Sequence, residues 1–288
     1  MDANIEQNSD KISSKEILSL SFELLRDYFK PLTGTFMIAF LASIIVWILS
    51  FLLSGSLGIL LYSDSFYSFN YLLSGLITFA SILPGFFVLF SFIGSGFGMT
   101  SEILTGGDYF VELKSSFSYF KKHWSGYSGF AMIFILISIL ISLIIPDSWY
   151  FSGTIVHAVL AFVITSIAEL LTISILGFAP VALSQDNSFI KSISISLKIF
   201  RKHGWSIIKA VALLILPIEI FSFLYGDVVV LFLQPNIWAE IYFFSWFVLL
   251  LGLFFIYLPL LIIHLTILYQ QFMKPVKEME NTLGNTKK

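Results

Sequence analysis

The sequence predicts an all-α integral membrane protein, a polytopic bundle of about six transmembrane helices, and three observations carry that prediction. The chain of 288 residues is 57% hydrophobic and only 12% charged, where a soluble domain carries about 25% charged residues. All 16 lysines and arginines fall in four short islands, at 11–30, 114–122, 191–209 and 274–288. The stretches between them, 31–113, 123–190 and 210–273, hold no Lys or Arg and are dominated by Leu, Ile, Phe, Val and Ala. About 20 apolar residues cross a bilayer, so each stretch has room for two spans and a short outer loop. Basic residues accumulate in cytoplasmic loops, which places the four islands and both termini on the inner side of a plasma membrane. The net charge of −2 adds little, because Asp and Glu weigh weakly in that rule.

The N-terminus (MDANIEQNSDKISSKE) is polar and acidic and no apolar core follows a basic start, so a cleavable signal peptide is not expected. The first span is predicted at 34–60, with Ser54, Gly55 and Ser56 as a candidate interruption, and an outer loop holding Asp64 follows. The second covers 71–97 around Pro84-Gly85, and the third covers 126–145, ended by Pro146-Asp147. The fourth covers 150–183 with Pro180, the fifth 206–225 with Pro217, and the sixth 239–272 with Pro259. Proline is tolerated inside a span because neighbouring helices re-satisfy the freed carbonyl. The segment 228–235 is apolar but too short to cross, and reads as an outer interfacial or re-entrant piece. Impermeant maleimide applied to intact cells tests this topology, since the chain has no cysteine of its own. It is expected to label Asp64→Cys and Asp147→Cys and to spare Lys122→Cys and Lys202→Cys; labelling of the last two overturns the topology.

An internal repeat subdivides this single domain. SSFSYFKKH (115–123) and ISLKIFRKH (195–203) align at an offset of 80, pairing Phe117 with Leu197, Phe120 with Phe200, Lys121 with Arg201, Lys122 with Lys202 and His123 with His203. LSFELLRDY (20–28) fits the same frame 95 residues earlier, with Phe22, Leu25 and Arg26 in place of Phe117, Phe120 and Lys121. Self-similarity at a fixed offset marks a repeated structural unit. The predicted units, 13–105, 106–185 and 186–273, are each an amphipathic helix followed by a two-span hairpin, and a polar tail at 274–288 closes the chain. Apolar residues recur at steps of three and four in each first segment: Leu18, Phe22, Leu25 and Phe29; Phe110, Leu113, Phe117, Phe120 and Trp124; Ile190, Ile193, Leu197 and Phe200. Such a stripe opposite Lys, Arg and Ser predicts a helix. Two placements fit it, in the membrane plane with the stripe among lipid tails, or as a solvated connector on the span ends. The repetition favours the first.

Few residues offer chemistry. The absence of cysteine excludes disulfides, thiolate metal sites and cysteine nucleophiles. The four histidines, His123, His157, His203 and His264, lack metal-ligand spacing, so no metal or other cofactor is expected. No nucleophile–base–acid set or nucleotide fingerprint stands in any loop, no catalytic residue is identified, and the chain reads as non-enzymatic. The Gly94-Ser95-Gly96-Phe97-Gly98 run is not followed by the Lys of a phosphate loop and reads as a packing or bending element. Two carboxyls lie inside spans, Glu169 and Glu219. Intramembrane ionisable groups are costly and mark functional sites by default. Glu169 is eleven residues before Pro180 and Glu219 fourteen after Trp205, which puts both roughly 15–20 Å from the inner boundary. They are either a proton-sharing pair in a transport pathway or two separate structural groups, each bonded to its own neighbour, with Glu219 able to fill the gap at Pro217; the structural role is the expected one. Matching Pro259 to Pro180 sets His264 level with Gln185 and about 24 Å from the level of Glu169, so that pair is rejected. Lys121, Lys122, His123, Arg201, Lys202 and His203 are candidate lipid-headgroup contacts, since basic residues at the inner surface attract anionic lipid; for the histidines, plain snorkelling at the interface is the simpler role.

The amphipathic segment plus hairpin, with Phe178-Ala-Pro180 and Tyr257-Leu-Pro259 near the inner ends of spans, resembles the six-span membrane region found beside glycerophosphodiester phosphodiesterase domains and in related stand-alone prokaryotic proteins. The resemblance covers most of the chain and implies the helical fold alone, because the phosphodiesterase domain is absent. Two functions remain on these residues. The leading one is a non-enzymatic multi-pass protein that organises lipid or partner proteins at the inner leaflet. The alternative is a permease or transporter subunit with Glu169 and Glu219 in the pathway, partnered by another membrane protein or an ATPase. The lipid bilayer is a partner in both, and nucleic acid in neither.

Overall fold

The computed structural model describes residues 14–61, 67–106, 113–144, 155–223, 248, 251–252 and 254–273. Among these residues the backbone is helical, with no strand. In chain order the helices are α1 (Ser14–Asp27), α2 (Phe29–Leu61), α3 (Tyr67–Gly106), α4 (Leu113–Ile144), α5 (Ile155–Leu176), α6 (Ala179–Ser184), α7 (Phe189–Ser222) and α8 (Phe254–Met273). Six segments are long and apolar enough to cross a membrane: Phe29–Leu53, Leu83–Thr105, Lys114–Ile141, Val156–Ser184, Phe189–Phe221 and Phe254–Met273. The chain is a multi-pass membrane protein. Asp64, Asp147, Asp227, Glu240, the apolar segment 228–235 and the tail 274–288 lie outside the described residues.

The helix breaks follow from local chemistry. Pro31 has no N–H for the carbonyl of Asp27 and its ring crowds that carbonyl, and α1 ends at Asp27. At the equivalent place in α7 the helix kinks at His203 (φ −127°, ψ 15°), just before Gly204. In α4 the residue matched to Pro31 is Gly126, which keeps its N–H and does not interrupt the helix, and one helix runs through the amphipathic segment and into the span. The second amphipathic segment is thus continuous with its span. The Ser54-Gly55-Ser56 interruption does not occur either, since α2 is helical to Leu61; with no water to take up freed backbone groups, a span gains by staying helical. At 40 residues α3 is about 60 Å long, twice the hydrocarbon thickness. The predicted fourth span, 150–183, is broken near Pro180: α5 stops at Leu176, and Pro180 stands in the first turn of the short α6.

Backbone contacts gather the chain into two compact units. In residues 30–137, α3 and α4 pack through glycine. Gly94 and Gly98, four apart on one face of α3, lie against the rings of Tyr127 and Tyr119, and Gly85 lies against Trp47 of α2. Small residues at that spacing let membrane helices approach closely. The Ser91 and Ser128 hydroxyls meet at 3.0 Å, Phe92 stacks on Phe120 at 4.3 Å, and Thr35 donates to the Met99 sulfur at 3.2 Å. Away from this contact, Met37, Leu41, Ile45, Ile48 and Leu52 form an exposed stripe on α2, the face that hydrocarbon solvates.

The second unit joins 1–29 with 138–288. Its core is the glycine- and proline-marked end of α5–α6, the middle of α7 and the last turns of α8, where Phe178, Val181, Ile207, Val211, Ile262, Leu268 and Tyr269 are buried. The turn between α6 and α7 needs a left-handed residue, supplied by Asp186 (φ 63°), and Ser188 caps α7 by accepting from the Lys191 N–H. In each amphipathic segment the aligned serine points inward: Ser21, Ser116 and Ser196 are all 0% exposed. The residue after each points outward, Phe22 at 52%, Phe117 at 45% and Leu197 at 36%.

Candidate functional site

Glu169 on α5 and Glu219 on α7 are brought together. The bond from Ser166 to Glu219 brings the two acids near each other across the α5–α7 contact. Ser166, one turn before Glu169 on the same face of α5, is buried and donates to Glu219 Oε2 at 3.4 Å. Tyr257 of α8 lies within electrostatic range of both acids. Phe162 of α5 stacks on Phe223 at 4.4 Å, which closes the α5–α7 contact beyond the acids. Glu219 is half-buried and Glu169 exposed, so the pair sits at an edge of the helix contact and not in a sealed core. A carboxylate only accepts hydrogen bonds, so a bond between the two carboxyls requires a proton. With that proton the pair carries one charge where two would otherwise stand close together outside bulk water, an arrangement that like-charge repulsion disfavours strongly.

Nearness of the two acids fits the paired alternative, while the Ser166 bond to Glu219 is the kind of neighbour bond that the structural role expects. Depth was legible because both acids could be counted from nearby markers, but a count along the axis says nothing of which way a side chain faces. Ser166 and Tyr257 were missed. Ser166 precedes Glu169 by three residues, a same-face spacing, and Tyr257 puts a hydroxyl where the matching Phe-x-Pro motif has Phe178; those were the available signals.

His264 has partners of its own. Fully buried on α8, it faces the Ala210 carbonyl oxygen through Nε2 at 3.2 Å and the Ser21 hydroxyl through Nδ1 at 3.2 Å. Ser21 in turn donates to the Ile17 carbonyl at 2.7 Å. One imidazole ties α1, α7 and α8. At the level matched to it, Gln185 accepts from the Tyr269 hydroxyl at 3.3 Å.

The basic candidates lie in two places. In residues 30–137, Lys121 and Lys122 are exposed on α4, and His123 is half-buried with its ring 6.0 Å from that of Tyr127. In the other unit Arg201 and Lys202 are exposed on α7, and His203, at the kink, stacks on Phe272 of α8 at 4.5 Å. Among the described residues no three His, Asp or Glu side chains converge as metal ligands do.

Comparison of the chain with protein-family models, with curated proteins and with solved structures gives no match.

Proposed function

We propose that this multi-pass protein is a subunit of a proton-coupled permease of the cytoplasmic membrane, non-enzymatic, with the Glu169–Glu219 pair in its pathway and both termini inside. The observation that supports the reading is the Ser166 bond to Glu219, which brings the acid of α7 beside the turn of α5 that carries Glu169. Acids in spans are rare, and where they meet they hold protons and mark ion routes. Losing the shared proton leaves two repelling carboxylates across the α5–α7 contact. Protonation thereby biases how these helices pack, which is the differential interaction that a two-state transporter needs. The Ser166 hydroxyl donates to Glu219, and Tyr257 of α8 lies within electrostatic range of both acids.

Dicyclohexylcarbodiimide tests the site, because it modifies protonated carboxyls in apolar surroundings. Modification of one glutamate of the pair is expected in the native protein, and its loss is expected in both Glu169→Gln and Glu219→Gln, each still folded by size-exclusion and thermal melting. In proteoliposomes the same variants are expected to remove proton-coupled flux. An unmodified pair, with Gln variants identical to the native protein in flux, overturns the reading.

A second reading, an organiser of lipid at the inner leaflet, is favoured by the outward Phe22, Phe117 and Leu197 beside exposed Arg26, Lys121 and Arg201. Apolar side chains that project next to cations suit the boundary between tails and headgroups. The likeness to the phosphodiesterase-associated membrane region is compatible with both readings.

A further inference from the structure

We propose that the exposed face of α7 binds the phosphate headgroup of an anionic phospholipid through Lys198, Lys202, Trp205 and Lys209. These residues follow one another at steps of four, three and four, the spacing that sets side chains along one side of a helix. All four are exposed, Trp205 at 71%, and Arg201 is exposed beside them. None of these cations forms an ion pair with a described residue. Charge of one sign that the protein leaves uncompensated draws an anion from outside.

Position along the helix decides which anion. Lys198 and Lys202 precede the kink at His203, in the amphipathic half of α7, while Lys209 lies about 10 Å further on, in the apolar half. Side chains on a helix lean toward its N-terminus, and the Lys209 ammonium stands 5.6 Å from the centre of the Trp205 ring. The lysine is turned back over the indole toward the basic end, as a cation does when its stem lies among tails and its head seeks the interface. Indole rings themselves settle at headgroup depth. The outward Ile190 and Leu197 continue apolar surface beside the cations. A face with cations at one level and apolar side chains around them matches a molecule with an anionic head and hydrocarbon tails. The His203–Phe272 stack holds the bend that carries the cations. This inference rests on the interfacial placement of the first half of α7 and uses no property of the carboxyl pair.

The test is the lipid retained by the purified protein in nanodiscs of phosphatidylcholine with a minor share of phosphatidylglycerol, counted by mass spectrometry. Phosphatidylglycerol is expected to be enriched around the native protein. In Lys198→Gln/Lys202→Gln/Lys209→Gln the enrichment is expected to fall about tenfold or more, since each lysine near an anionic surface contributes roughly fivefold. Replacing the same three with Arg should keep it, which separates loss of charge from loss of fold. The control Lys15→Gln/Lys274→Gln/Lys277→Gln removes as much charge elsewhere and should keep most of the enrichment. An equal fall in the control, no enrichment in the native protein, or displacement of the lipid by millimolar inorganic phosphate overturns the proposal, the last by showing a site for a soluble anion.

Discussion

Gly94→Ala/Gly98→Ala is expected to melt well below the native protein. A methyl at 94 would stand inside the Tyr127 ring and one at 98 inside the Tyr119 ring, and in each case the nearest atoms include the ring carbon next to the stem. A flexible tip could swing aside, but a ring lying flat on the backbone cannot without moving its helix. Overpacking of this kind costs about 1–3 kcal/mol per site, so the double variant loses roughly 4 kcal/mol against a total stability typically of 5–15 kcal/mol. The two sites share the α3–α4 contact and their effects need not add. Gly252→Ala is the control, since a methyl there meets nothing within 4 Å. Thermal melting in detergent is the measurement. A double variant that melts with the native protein refutes the close α3–α4 approach.

His264→Ala is expected to free α1. The imidazole is fully buried, and its removal opens a cavity and breaks the contacts to Ser21 and Ala210. Truncating a large buried side chain to Ala costs about 2–5 kcal/mol, and hydrogen bonds between membrane helices add about 0.6 kcal/mol each. Roughly 3 kcal/mol is expected, and nearer 1 kcal/mol for His264→Gln, which keeps a polar side chain of similar reach. Because α1 touches this unit along the narrow edge of Ile17, Ser21 and Leu25, the loss should be local. Ile17→Cys, buried in the native protein, is expected to react with maleimide several-fold faster when His264 is also Ala. Unchanged labelling and melting would show that His264 is only filler.

How much of this was legible differs from element to element. The spans were, because the stretches without Lys or Arg are dominated by apolar residues over lengths that cross a bilayer, and six apolar helices result. The glycine run was readable as a packing element, but its partners were not, since Tyr119 and Tyr127 come from another helix. Where the amphipathic segments end depended on Pro31 in one case and on His203-Gly204 in another; in α4 Gly126 does not break the helix, and segment and span became one, an outcome that the repeat alone does not announce. Of the stripe read from periodicity, Phe22 is exposed but Leu25 is buried beside Ser21 on one edge of α1, a division that the spacing did not foretell.

The sequence by itself determined the class of this protein and its number of spans, because hydropathy and the constant rise of a helix act along the axis. Tertiary structure alone decided that Ser166 of α5 bonds Glu219 of α7 and that His264 binds α1 and α7 in place of an acid. The physical reason is that rise along a helix is the same for every residue, while the direction in which a side chain points depends on how each helix is rotated against its neighbours. That rotation is set by packing among residues distant in the chain.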